Sequence, residues 1–101
     1  MLIYNVTTKL HHTIHQQWLN WMKETHIPEV LATGCFEKFQ LVRILETDEE
    51  EGPTYAVQYY AASDLQYRIY MQQYAPALRQ AGIDKWGGNM IAFRTLMEVV
   101  H

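Results

Sequence analysis

Apolar and polar residues alternate at the start of the chain. In LIYNVTT, Leu2, Tyr4 and Val6 alternate with Ile3, Asn5 and Thr7, the two-residue period of a strand with one strongly apolar face. The period then lengthens. Thr13 and Gln16 have the spacing of a capping box, and Ile14, Trp18, Trp21, Met22 and Thr25 share one helical stripe. Pro28 disfavours helical angles at Ile27, which predicts that this helix ends near His26. Two β-rich runs come next, FEKFQLVRILE and PTYAVQYYAA, joined by the turn TDEEEG.

A second capping box, Ser63 with Gln66, opens a long helix whose face carries Tyr67, Tyr70, Met71, Tyr74, Leu78 and Ala81. Pro76 removes an amide donor and predicts a kink between Gln72 and Ala75. Gly82 is expected to cap the helix in the left-handed conformation, with Ile83 as the hydrophobic closure. KWGG turns the chain into a last strand, NMIAFRTLMEVV. The order is βαββαβ in a single domain over residues 1–101. It predicts an α+β, ferredoxin-like fold, a four-stranded antiparallel sheet with two helices on one face.

Such a sheet keeps one face open. Alternation assigns Leu2, Tyr4 and Val6, with Tyr55, Val57 and Tyr59, to the helix side. It adds Ile91, Phe93, Met97 and Val99 to that side from the last strand. The open side then holds Ile3, Asn5, Gln58, Tyr60, Arg94 and Leu96. That set is too apolar to be simply wet and marks the expected interface of a homodimer. The second strand cannot be phased, because Leu41, Arg43 and Leu45 compete with Val42 and Ile44.

Charge and composition narrow the functions. The net charge is -3 and the eight basic residues are scattered, so no nucleic-acid partner is expected. No apolar run is long enough to cross a bilayer, and the start has no basic leader, so neither a membrane partner nor a signal peptide is expected. The one cysteine, Cys35, forms no internal disulfide, and a cytoplasmic location is expected. Five of the eleven acidic residues lie within 46–51, which reads as a solvated turn. His11, His12 and His15 are close in sequence, but the first two precede the helix and lack the helical spacing that converges imidazoles. No metal site is assigned.

The strings IYNVT, WLNWMKETHIPEVLATGCF, TYAVQY and GGNMIAFRTLMEVV resemble a family of short bacterial proteins defined as a domain of unknown function. That family is similar to the dimeric α/β-barrel superfamily, which includes cofactor-independent monooxygenases and haem-degrading enzymes. The resemblance implies a homodimeric barrel and leaves the reaction open. The haem-degrading relatives use a first-strand asparagine, a tryptophan and a second-helix histidine. Asn5 and Trp86 are present, but no histidine occurs between Ser63 and Gly82, so no cofactor is assigned.

The topology places the end of the first helix over Tyr4, beside Tyr59 and the start of the second helix at Tyr67 and Tyr70. A small-ligand pocket lined by Tyr4, His26, Tyr59, Tyr67 and Tyr70 is therefore expected, with His26 as the candidate acid or base. The plainer alternative is that His26 merely finishes its helix, its charge favoured by the carbonyl end. Three functions stay open: a small-molecule binder, a cofactor-independent monooxygenase-like enzyme, and a structural or interaction dimer.

Overall fold

The first strand of the chain becomes the centre of the sheet, because both of its edges find antiparallel partners. The computed structural model describes residues 1–101. β1 (Leu2–Leu10), β2 (Lys38–Arg43), β3 (Thr54–Ala61) and β4 (Met90–Glu98) lie in the order β2-β3-β1-β4. Two helical stretches cover one face. The first is a 3₁₀ turn at His12–Ile14, then α1 (His15–Trp21), a π-helical turn at Met22–His26, and α2 (Ile27–Ala32). The second is α3 (Asp64–Gln73) followed by α4 (Ala75–Trp86). The fold is the ferredoxin-like one expected.

Register fixes the faces. Tyr4 pairs with Tyr59 and Leu96, and Val6 with Val57 and Arg94, so these side chains share the helix-covered face. Phe39, Leu41 and Arg43 lie on the same face through Tyr59, Val57 and Tyr55, which settles β2. The expected phase of β4 is overturned. Ala92, Arg94 and Leu96 are on the helix side, while Ile91, Phe93 and Met97 join Ile3, Asn5, Gln58 and Tyr60 on the open side. Arg94 and Leu96 therefore leave the expected interface set. The physical reason is that β4 is an edge strand that the helices cover only in part, so hydrophobicity does not mark its inner side.

The helix ends differ as well. His11, not Thr13, is the first cap: its side chain accepts from the Thr13 amide, and Gln16 bonds Asn20 instead. Pro28 does not stop the first helical stretch. The amide of Ile27 reaches back five residues to the Met22 carbonyl, and Pro28 then sits in the first turn of α2, where no amide donor is required. Pro76 does interrupt the second stretch at Tyr74, and Ser63 caps α3 by accepting from the Gln66 amide at 3.4 Å. Gly82 is not the cap. It is buried inside α4, Ile83 is exposed, and the helix ends instead at Gly87, a glycine at positive φ, 53°.

Seventeen buried residues form one hydrophobic cluster between the helices and the sheet, with Trp18, Val30, Val57 and Tyr59 among them. Gly82 touches its edge. A Cβ there would meet Met90 Cε at 3.5 Å and Trp21 Cη2 at 3.7 Å, ordinary contacts. Gly82→Ala should therefore gain about 0.5–1 kcal/mol of helix stability. Calorimetry should show a melting temperature a few degrees higher, whereas Gly87→Ala, strained at its positive φ, should lower it.

Candidate functional site

The π turn carries the site. By adding one residue to a helical turn it swings His26 toward the sheet, beneath Trp21, on whose ring the imidazole stacks at 4.8 Å. Below it lies a cavity of about 60 Å³ between α1, the π turn, α4 and strands β1, β3 and β4. Tyr4 and Tyr59 rise from the sheet, Trp18 and Met22 come down from the first helical stretch, and Gly82 admits space from α4. Arg94, exposed on β4, lines the same cavity where it meets solvent.

Several polar groups face this space. Arg79 on α4 donates from Nη2 to the Tyr4 hydroxyl at 3.1 Å, while its Nε is buried without a partner in the protein. The Tyr59 hydroxyl and His26 Nδ1 are buried and unpartnered too. Burial, reinforced by the positive charge of Arg94, lowers the His26 pKa from 6.5 to about 4. The imidazole is thus neutral at physiological pH and can accept a hydrogen bond. Burial raises the pKa of Tyr59 and Tyr70 above the ordinary tyrosine value, so both hydroxyls stay protonated and able to donate.

Four residues expected at a pocket, Tyr4, His26, Tyr59 and Tyr70, do line one cavity. Tyr67 does not. Its ring packs against Tyr4 at 5.8 Å from outside the lining, under the guanidinium of Arg68. The plainer account of His26 also fails, because the helical path continues to Ala32 and the lowered pKa removes the charge a carbonyl end would favour. The histidine cluster diverges. His11 stacks on His12 at 4.4 Å, while His15 Nε2 turns to the Tyr55 hydroxyl at 2.6 Å. No group of three His, Cys, Asp or Glu is arranged to hold a metal ion. Asn5 lies on the open face, bonded to Thr7 Oγ1 at 3.0 Å, and Trp86 packs edge-on against Trp21 outside the cavity. Cys35 is buried in the turn before β2, and Arg43 is held by Glu49 at 2.6 Å.

Sequence reasoning missed Arg79 and put Arg94 on the wrong face. A usable signal existed for Arg79. The inner row of α4 is Ala75, Gly82 and Trp86, and Arg79 stands in that row at helical spacing. Reading α4 as an unbroken continuation of α3 selects Tyr74 and Ala81 instead, both of which are exposed.

The chain belongs to the family described as Domain of unknown function (DUF4286), whose model matches residues 1–100. No curated protein matches it. Solved structures share its fold at low identity. One is SnoaB, a cofactor-independent oxygenase from Streptomyces nogalater, with TM-score 0.70 and 11% identity, covering 99% of this chain and 94% of that one. Another is the heme-degrader MhuD from Mycobacterium tuberculosis, with TM-score 0.68 and 17% identity, covering 100% and 97%. A third is a dimeric ferredoxin-like protein from an uncultured marine organism, with TM-score 0.67 and 11% identity, covering 99% and 95%.

The neutral His26 makes stability depend on pH. Above pH 6.5 the unfolded chain also holds it neutral, and stability is unaffected. As pH falls from 6.5 toward 4 only the unfolded chain takes up the proton, so stability is lost across that window. Discounting for solvent at the cavity mouth, the loss should be roughly 2 kcal/mol. Urea unfolding of the protein and of His26→Asn at pH 7 and pH 4.5 should show a steeper decline for the former. Parallel declines would show that His26 does not titrate below its ordinary value.

Proposed function

We propose that residues 1–101 form a single domain that works as a homodimer and binds a small molecule in the cavity between helices and sheet. The observation that carries this reading is that three residues lining the cavity each hold a buried polar atom without a partner: His26 at Nδ1, Tyr59 at its hydroxyl and Arg79 at Nε. Buried polar groups are nearly always hydrogen-bonded, and each one left unpaired costs about 1–3 kcal/mol. A ligand with a polar edge offsets that cost, and binding of this kind calls for no cofactor.

The dimer is supported by the open face. Ile91 and Phe93 are 57% and 62% exposed beside Ile3, Tyr60 and Met97, with the amides of Asn5 and Gln58 among them. Two such faces closing on each other bury the apolar residues and leave the Gln58 amide to pair across the seam, as in a dimeric α/β barrel. One structural relative is itself described as dimeric. No helix is long and apolar enough to cross a membrane. A reducing, cytoplasmic setting suits the free thiol of Cys35.

A second reading, a cofactor-independent oxygenase, draws on the neutral His26. With its imidazole neutral at physiological pH, His26 can accept a hydrogen bond from an O–H of a bound substrate and orient it, although the lowered pKa makes it a weak base. The chain shares its fold with one protein of that description.

Sedimentation at micromolar concentration should give a dimer, and Phe93→Glu a folded monomer; a monomeric parent protein would sink the dimer reading. A fragment screen by NMR should give hits that shift the Trp21 indole resonance. His26→Ala should weaken them about tenfold or more while changing the melting temperature little. If no fragment enters, the protein is an interaction dimer with a filled core; if His26→Ala loses stability and leaves binding intact, His26 is a structural residue and not a ligand contact.

A further inference from the structure

Two of the eight basic side chains, Arg79 on α4 and Arg94 on β4, line the same cavity. Neither has a carboxylate partner; the ion pairs of the chain are Arg43–Glu49 and Arg68–Asp64. Neither lies over an aromatic ring, as Arg43 and Arg68 do. The lining contains no Asp or Glu, although the chain as a whole carries eleven acids against eight bases. Positive potential is therefore concentrated at one concave site of a negatively charged protein. Both guanidinium groups border the same space as the Tyr70 side chain. Arg94 also stands near enough to His26 to oppose its protonation.

The remaining walls are flat and apolar, with Trp18, Trp21, Tyr4 and Tyr59 around the space and Met22 above it. We infer that the cavity and its open mouth take a small planar organic anion, a carboxylate or phenolate on a conjugated ring, with its charge on Arg79 and Arg94 and one edge of its ring reaching in between the aromatic walls. This rests on the reading of the cavity as a ligand site and adds the charge and shape of the molecule that enters it. Arg79 is already oriented by its bond to Tyr4, which leaves its unpartnered Nε–H for the anion. Arg94, exposed at the mouth, meets the anion first and closes the charge from the solvent side. Neutral His26 adds an acceptor for a ring substituent that carries a proton. An inorganic anion matches the charge and wastes the aromatic surface.

Benzoate and benzamide separate these contributions, because they differ in charge and hardly in shape. Each is titrated into the ¹⁵N-labelled protein at pH 7.5, and the tryptophan indole resonances are followed. Benzoate should bind roughly tenfold tighter than benzamide, and the difference should shrink in 1 M salt. Arg94→Gln, at an exposed position that leaves the core untouched, should bring benzoate down to the level of benzamide. Arg79→Lys, which keeps the charge but loses the fork, should weaken benzoate several-fold. Equal binding of the two probes to the parent protein would overturn the anion preference while leaving the cavity a ligand site. A preference for benzoate that survives both substitutions would overturn the roles of the arginines. Inorganic phosphate competing as well as benzoate would overturn the planar organic ligand. If neither probe moves the indole signals, this inference fails; hits from the NMR fragment screen then decide separately whether the cavity binds anything.

Discussion

The side chain of Tyr4 ties the sheet to everything that lies over it. It stands on β1, one of the two inner strands, and its ring meets those of Phe36, Tyr59, Tyr67 and Tyr70 at centroid distances between 5.7 and 6.2 Å. Those partners come from the turn before β2, from β3 and from α3. Each aromatic pair contributes about 0.5–1.5 kcal/mol beyond the area it buries. The hydroxyl at the end of the same ring accepts from Arg79 and so fixes where α4 presents its charge. The floor of the cavity and the position of one of its arginines thus depend on one residue of the central strand.

The order of strands and helices is legible in the sequence because periodicity reports burial, and most elements here are buried on one side. β4 is illegible for the same reason. Its apolar residues Ile91 and Phe93 lie on the open face, while Ala92 and Arg94 lie under a helical layer that does not extend over the edge. Only pairing register, a long-range property, tells the two sides apart. The helix boundaries show a different limit. Pro28 reads as a stop, but a π turn just before it relocates the missing donor into a first turn, where none is needed. At Thr13 the competing cap is a histidine side chain, a residue outside the usual capping set.

The candidate site is half visible in the sequence. His26 and three of the four tyrosines can be found because topology alone stacks one helix end over one end of the central strands. The arginines are hidden by two phase errors. One is the reversal of β4, which sends Arg94 outward. The other is the break at Pro76, after which α4 starts a new inner row containing Arg79. A proline that interrupts a helix also resets which residues face the core, and periodicity must be counted afresh beyond it.

The five-residue turn at Met22–His26 holds one residue more than an α-helical path of the same span. It has the form of a one-codon insertion kept in place. Deleting a residue there would restore a regular helix and rotate α2 by about 100° relative to α1. The imidazole could then no longer lie under Trp21 with the rest of the helix seated as it is. An unbroken helix and this arrangement of His26 are alternative uses of the same stretch of chain. A chain of otherwise similar sequence that is one residue shorter between Trp21 and Pro28 could keep the sheet, the core and the open face. It would have shed the imidazole from the cavity, so the length of this turn, as much as the histidine within it, sets where the imidazole lies.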